Sequence, residues 1–160
     1  MEFVPTGENE EAGLIIRGND INHYEIGVTR HSGNRSVFFR KVLRGQAGET
    51  VYAQIPDGAV ILQAVATDLD YFFYYRTGDQ PAVLFGHGST RDLSSEILYR
   101  DFNCFTGVYI GMFATGNGKE NTNPADFDWF DMILDPAVNM QQTPYSGHAA
   151  PLPGRIEAED

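Results

Sequence analysis

The strongest constraint on this chain is a two-residue alternation of apolar and polar side chains that recurs in short segments. In residues 21–30, one face would carry Asn22, Tyr24, Ile26 and Val28, and the other Ile21, His23, Glu25, Gly27 and Thr29. In residues 59–68, one face would carry Val60, Leu62, Ala64 and Ala66. Because side chains of a β-strand point alternately to its two faces, this period predicts strands.

Further segments of this kind follow one another about every eight to twelve residues, with turn-forming residues between them. The predicted strands are 13–18, 21–30, 35–44, 50–55, 59–68, 71–78, 82–86, 107–115 and 126–134. HSGN (31–34) predicts a hairpin with a four-residue loop, and GQAG (45–48) and PDG (56–58) predict further turns. Helical periodicity is confined to residues 91–99. The pattern predicts an all-β fold, an antiparallel sandwich or barrel.

Length and charge limit the class of protein. The 160 residues suffice for one domain with its own core. The formal net charge of −11 argues against nucleic acid and against an anionic membrane surface, because like charges repel. Neutral sugars remain open as ligands, since hydrogen bonds and aromatic stacking recognise them.

The sequence leaves the compartment open, extracellular or cytoplasmic. The single cysteine, Cys104, has no partner for an internal disulfide, which suits a reducing cytoplasm and also many bacterial secreted proteins. No apolar run reaches about 18 residues, and no signal peptide stands at the start. MEFVP (1–5) is typical of a strand interior, as if the chain began partway through a domain.

The composition changes after residue 134. Residues 135–153 have little periodicity and several prolines, which is typical of a linker. The ending RIEAED (155–160) is typical of the opening strand of another module. We therefore expect a sandwich over residues 1–134, a linker over 135–153 and the start of a second module at 154–160.

The stretch NPADFDWFDM (123–132) raises the possibility of a carboxylate pair. In a strand, Asp126 and Asp128 would share one face about 6.6 Å apart, near the separation that an inverting glycosidase uses. Side chains rising in parallel from one strand cannot flank opposite faces of a sugar. We therefore expect both carboxylates to face solvent, bond turn amides or hold a cation such as Ca²⁺, with Phe127 and Trp129 in the core.

Other candidate sites have weaker support. The four histidines, His23, His31, His87 and His148, lack the spacing of zinc ligands, and no cofactor motif is present. Ser94 and Ser95 lack the context of a nucleophile, and Cys104 is predicted to be a buried small residue. YFFYY (71–75) could stack sugars, although a central strand packed on both faces is the favoured interpretation.

Two stretches together point to a family. FTGVYIGMFATGNG (105–118) followed by PADFDWFDM (124–132) resembles the C-terminal concanavalin A-like β-sandwich of glycoside hydrolase family 43, found in β-xylosidases and α-L-arabinofuranosidases. EEAGLIIRGNDINHYEIGVTR (10–30) and DYFFYYRTGDQPAVLFGHGSTRDLSSEI (70–97) are similar to upstream parts of that domain. The tail PLPGRIEAED (151–160) is similar to the start of a family 6 carbohydrate-binding module.

The resemblance implies an accessory domain without catalytic residues. In this family the catalytic carboxylates lie on a five-bladed β-propeller that this sequence lacks, and the sandwich normally has further strands before its counterpart of residue 1. The implied partners are that propeller and xylan- or arabinan-derived sugars, with no metal or cofactor. In the β-xylosidases of this family, one loop of the sandwich contributes an aromatic ring to the rim of the substrate pocket. The matching loop here is YRDFNCFTG (99–107), so the resemblance implies this role for Phe105 or Phe102.

A lectin-like carbohydrate-binding module is the alternative function. Such a module would expose a row of aromatic side chains on one face. A docking domain would instead expose a broad apolar surface where its propeller is absent.

Overall fold

A computed structural model describes residues 1–101 and 107–133, with side chains described for 1–98 and 107–133. A 3₁₀ turn (Thr90–Leu93) and a helix, α1 (Ser95–Asp101), confirm the helical segment predicted at 91–99. The strands confirm the all-β prediction; they are β1 (Glu11–Asn19), β2 (Asn22–His31), β3 (Asn34–Leu43), β4 (Gln46–Ala47), β5 (Val51–Gln54), β6 (Val60–Ala66), β7 (Asp70–Thr77), β8 (Val83–Ser89) and β9 (Tyr109–Thr115).

The strands form two antiparallel sheets. The larger has the order β4-β3-β2-β1-β9, with β5 also paired to β3, and the smaller has the order β6-β7-β8. Between them, Phe73 of β7 packs with its ring centroid 4.9 Å from Phe39 and 6.2 Å from Tyr24. The strands therefore enclose one apolar core as a sandwich, with β1 facing β6 and β3 facing β8.

Tyr24 ties the two sheets together at the centre of this core. Its side chain is fully buried, and its hydroxyl lies 3.0 Å from both the Ser89 carbonyl and Asp92 Oδ2. Burial, reinforced by the nearby Asp92 carboxylate, raises the pKa of Tyr24, so the phenol stays neutral and keeps its proton for donation. Its ring packs so closely on Gly88 that a Cβ there would lie 2.4 Å away.

The hairpin loops are shorter than predicted. His31 pairs directly with Asn34, leaving Ser32 and Gly33 as a two-residue loop, so the expected four-residue loop is wrong. Both loop residues have positive φ, 51° and 79°, as a type I′ turn requires. A second turn of this kind is formed by Arg44 and Gly45, so Gln46 and Ala47, in the middle of the predicted GQAG turn, pair back with β3 as β4.

The aromatic run at 71–75 occupies the middle strand of the smaller sheet, β7, which confirms the central position that the favoured interpretation gave it. Tyr71 and Phe73 are buried on the core side. Tyr74 is also buried, next to an irregularity in the pairing with β8.

The strand predicted at 126–134 is absent from the described residues 127–133. Only Asp126 pairs, through an isolated antiparallel bridge to Glu2. Phe127 packs against the core as expected, but Trp129 is 50% exposed, so its expected burial is wrong. A strand needs a paired neighbour, and no described segment lies beside 127–133 to supply one.

The predicted linker (135–153) and the start of a second module (154–160) lie outside the described residues. In the part of the chain that is described, no helix has the length and apolar character needed to cross a membrane.

Candidate functional site

The predicted rim residues, Phe102 and Phe105, fall within 102–106, outside the described part of the chain. Cys104 lies in the same stretch, so its expected burial also stays a prediction. The described residues on either side do establish where this stretch is attached.

Both attachments stand at the same end of β1. On one side, α1 buries Leu98 so close to Gly18 that a Cβ on Gly18 would lie 2.3 Å from Leu98 Cδ1. On the other side, β9 begins at Tyr109, which pairs with Arg17. Tyr109 is 62% exposed. An aromatic side chain is therefore already presented to solvent beside the predicted rim segment.

The carboxylates of Asp126 and Asp128 lie on the surface of the domain. Both are exposed, which confirms that they face solvent. The backbone of Asp126 exchanges hydrogen bonds of 2.8 and 2.9 Å with Glu2, and this pairing explains its position without any chemistry. Within residues 1–98 and 107–133, no three His, Cys, Asp or Glu side chains come together as metal ligands would.

Large apolar side chains are exposed on the edge strand β9 and on residues 129–133. We call this set the apolar edge; it consists of Tyr109, Ile110 and Met112 of β9 and of Trp129, Phe130, Met132 and Ile133. These side chains are between 42% and 72% exposed. Monomeric proteins rarely leave so many large apolar groups together in water, so this edge is suited to a contact with other polypeptide.

Part of the apolar edge belongs to the inner face of the larger sheet. Ile110 and Met112 pair with Ile16 and Leu14 of β1, so their side chains point to the inner face of the larger sheet. Ile16 is buried there beneath the smaller sheet, whereas Ile110 and Met112 are 42% and 45% exposed. The smaller sheet therefore does not extend over β9.

The outer face of the larger sheet carries a buried ionic cluster. Arg40 of β3 binds Glu11 through both terminal nitrogens, at 2.8 and 3.2 Å, and binds Glu25 through Nε at 2.9 Å. His23 Nε2 lies 3.1 Å from Glu25 Oε1. The side chains are only 8–20% exposed, and the guanidinium also lies 5.1 Å from the centroid of the Phe38 ring.

The electrostatics of this cluster favour structure over catalysis. Burial raises the pKa of Glu25, but His23 and Arg40 oppose it strongly enough that the pKa is lowered overall. Burial lowers the pKa of Arg40, and the hydrogen bonds and charges of Glu11 and Glu25 raise it overall. A carboxylate whose pKa is lowered by a bound guanidinium makes a poor proton shuttle near neutral pH.

A row of sugar-stacking aromatics is not seen on the described outer face. Tyr52 of β5 is 38% exposed, and its ring centroid lies 3.8 Å from that of His31. Tyr109 is exposed on β9, at the other edge of the same sheet. The strands between them, β1 to β3, present the ionic cluster. This arrangement disfavours the alternative of a lectin-like module.

The sequence reasoning missed both the ionic cluster and the exposure of β9. A usable signal existed for each. Glu25 and Arg40 are charged residues in the middle of strongly alternating strands, where burial requires a partner. GVYIGMFAT (107–115) is apolar at consecutive positions, so it needs cover on both faces.

Comparisons with known proteins agree on one family. Residues 1–133 match the family model described as the β-xylosidase C-terminal concanavalin A-like domain. A non-reducing-end α-L-arabinofuranosidase of Bacteroides ovatus is 46% identical over 132 residues, which is 82% of this chain and 24% of that protein. A xylosidase/arabinosidase of Butyrivibrio fibrisolvens is 26% identical over 132 residues, 81% of this chain and 24% of that protein.

A solved structure shows the same fold. The Bacteroides ovatus structure described as xyloglucan PUL GH43B superposes with a TM-score of 0.75 and 45% identity, over 81% of this chain and 25% of that one. The chain thus spans about a quarter of the length of the relatives it matches.

Proposed function

This chain belongs to the family of β-xylosidase C-terminal concanavalin A-like domains, and from that membership we propose that it braces the catalytic domain of a larger family 43 glycosidase. The observation that carries the proposal is the match over residues 1–133, which accounts for only about a quarter of each relative. The apolar edge supports it, because a domain that docks on another needs such a surface.

The proposed substrates of the whole enzyme are xylan- or arabinan-derived sugars. The support comes from relatives named as an α-L-arabinofuranosidase and as a xylosidase/arabinosidase. Hydrolysis belongs to the catalytic domain in this proposal, and the domain described here supplies packing and a part of the pocket rim.

We assign the rim role to Phe105 or Phe102. Their segment is attached next to exposed Tyr109, where an aromatic side chain can contact a docked neighbour. A ring placed over a bound pentose would exclude water and strengthen the electrostatic interactions of hydrolysis. The C–H face of a pentose also suits contact with an apolar ring.

A chimera tests the bracing role and the rim role together. The chain would replace the matching 132 residues of the Bacteroides ovatus arabinofuranosidase. The chimera is expected to hydrolyse p-nitrophenyl α-L-arabinofuranoside, whereas that enzyme without its C-terminal quarter is expected to be inactive or insoluble. An active, soluble truncated enzyme would contradict the bracing role.

Within the chimera, Phe105→Ala or Phe102→Ala is expected to reduce kcat/KM about tenfold or more, since water would enter the pocket. The matched control is Leu84→Ala, which removes an apolar side chain that is 53% exposed on β8. The control is expected to leave kcat/KM unchanged. Unaltered kinetics in both Phe variants would remove the rim role while leaving the bracing role intact.

We also propose that residues 135–153 link this domain to a following carbohydrate-binding module that begins at 154–160. Limited proteolysis of the chain is expected to cut within 135–153 and to leave residues 1–134 intact, because proteases prefer segments without packed structure. Mass spectrometry of the products checks this. First cuts inside β1–β9 would contradict the proposed boundary.

A further inference from the structure

A small pocket opens at the β7–β8 hairpin, which none of the sites described above includes. Its volume is about 360 Å³, and Tyr75, Thr77, Gln80, Pro81 and Val83 are among the residues that line it. Sites for small molecules occupy about 300–1,000 Å³, so the volume suits a ligand at the small end of that range. We call this opening the hairpin pocket.

The hairpin pocket is remote from the predicted rim segment. The eight residues of β7 run from Asp70, which pairs with Ser89 beside the 3₁₀ turn and α1, to Thr77 at the pocket. At about 3.4 Å per residue, the two ends of this strand lie about 24 Å apart. A ligand in the hairpin pocket is therefore separate from the proposed rim of the substrate pocket.

The sheet and a tight turn give the hairpin pocket its shape. Tyr75 pairs with Val83, so their side chains lie on one face of the smaller sheet, and Thr77 shares that face because strand residues alternate. The Tyr75 ring packs edge-on against Phe85, with the centroids 5.1 Å apart and the planes at 87°. The amide of Gln80 donates to the Thr77 carbonyl at 3.3 Å, which closes the turn. The walls are therefore formed without a ligand.

The lining combines apolar surface with neutral hydrogen-bonding groups. Tyr75, Pro81 and Val83 supply the apolar surface, and Val83 is 44% exposed. The hydroxyl of Thr77 and the amide of Gln80 can each donate and accept a hydrogen bond. Among the described residues, none that lines this pocket carries a carboxylate. A sugar has the matching chemistry, since its hydroxyls donate and accept while its C–H face is apolar.

We propose that the hairpin pocket binds one neutral sugar unit of a polysaccharide. The Thr77 hydroxyl and the Gln80 amide bind hydroxyls of the sugar, and its C–H face lies against the apolar lining. Arg76 also lines the pocket, but it already takes part in another interaction, so the neutral groups carry the recognition. The net charge of −11 disfavours acidic sugars, because like charges repel.

This site differs from the lectin-like alternative. A lectin-like module would hold a polysaccharide along a row of exposed aromatic side chains, whereas the hairpin pocket holds a single unit. A single unit in an open pocket binds weakly, so the site is a secondary one on an accessory domain. It needs only this chain and does not depend on the bracing role.

Titration of the chain with methyl β-D-xylopyranoside and methyl α-L-arabinofuranoside tests the site. Amide shifts of Gln80, Ala82 and Val83, followed by NMR, are expected to saturate with a dissociation constant of about 1–10 mM for at least one of the two sugars. Cyclohexanol, a ring of similar size with a single hydroxyl, is the control ligand. It is expected to bind about tenfold more weakly or less, because it leaves the polar groups of the pocket unpaired.

Two variants identify the groups that bind. Thr77→Val keeps the shape of the side chain and removes its hydroxyl, and Gln80→Ala removes the amide. Each is expected to raise the dissociation constant about fivefold. The matched control is Gln54→Ala, which removes an exposed amide from β5 and is expected to leave binding unchanged. Circular dichroism establishes that all three variants fold.

Several results would overturn the assignment. Shifts that do not saturate below about 100 mM of either sugar, or that centre on residues outside the hairpin, would remove the site. Equal binding of cyclohexanol would show that hydroxyls are not recognised. Parent affinity in both Thr77→Val and Gln80→Ala would remove the proposed contacts. None of these readouts involves hydrolysis, so the bracing and rim roles stand or fall separately.

Discussion

Replacement of Arg40 by methionine is expected to destabilise the domain by about 3–5 kcal/mol, because it leaves two buried carboxylates without their cationic partner. Arg40 supplies the guanidinium that binds Glu11 and Glu25, whose side chains are 8% and 10% exposed. Methionine preserves much of the aliphatic stem, so the loss of charge accounts for most of the effect. Urea unfolding at pH 7 measures the change.

The pH dependence should change sign in this variant. In the parent chain the pKa of Glu25 is lowered, so its contribution to stability is present above the unfolded value of 4.5 and is lost as the pH falls through the folded pKa. Without Arg40, burial is opposed only by His23, and the pKa of Glu25 should rise above its unfolded value. The variant should therefore gain stability as the pH is lowered from 7 to 5.

Two further variants separate charge from packing. Arg30→Met removes an exposed arginine from the neighbouring strand β2 and is expected to cost little. Adding Glu11→Leu and Glu25→Leu to Arg40→Met removes the stranded charges and is expected to recover much of the stability. If Arg40→Met matched Arg30→Met in cost, or kept the parent pH profile, the cluster would be structurally unimportant.

Gly13→Ala is expected to destabilise the domain by about 3 kcal/mol or more, at the upper end for overpacked sites. A Cβ on Gly13 would lie 2.1 Å from the Ile26 carbonyl oxygen and 2.4 Å from the Gly27 Cα. These are backbone atoms of β2, the direct pairing partner of β1, so neither can move without disturbing the centre of the larger sheet. Thermal and urea unfolding measure the loss.

Gly111→Ala provides the matched control, since it makes the same substitution on β9, the neighbouring strand on the other side of β1. Nothing lies within 4 Å of a Cβ at Gly111. This variant is expected to be neutral or to gain about 0.4–1 kcal/mol, because alanine reduces the freedom of the unfolded chain. Similar losses for both variants would show that strand glycines are needed for flexibility and not for close packing.

The local signals in the sequence were sufficient to locate most strands. Residues 21–30 were assigned from alternation alone, and β2 runs over Asn22–His31 with Tyr24, Ile26 and Val28 on the core face. The period of two reflects the geometry of a single strand and needs no information about its neighbours. The turn residues indicate where the chain reverses, but the length of each loop depends on the register of the paired strands, as at Ser32 and Gly33.

The ionic cluster, the pocket rim and the apolar edge were harder to predict than the strands, because each brings together residues that are distant in sequence. Glu11, Glu25 and Arg40 meet only after three strands align in one register. Phe102 and Phe105 came from the family resemblance, and their role remains a proposal. The apolar edge was expected of a docking domain, but its residues could not be named from the alternation.

The sequence by itself determined the all-β class and the positions of every strand except β4 to within a few residues, because these follow from alternation within single strands. Only the tertiary structure decided that 127–133 does not form a strand and that Trp129 stands half exposed. Burial requires a second surface, and pairing requires a neighbouring backbone, so neither outcome is written in the segment itself.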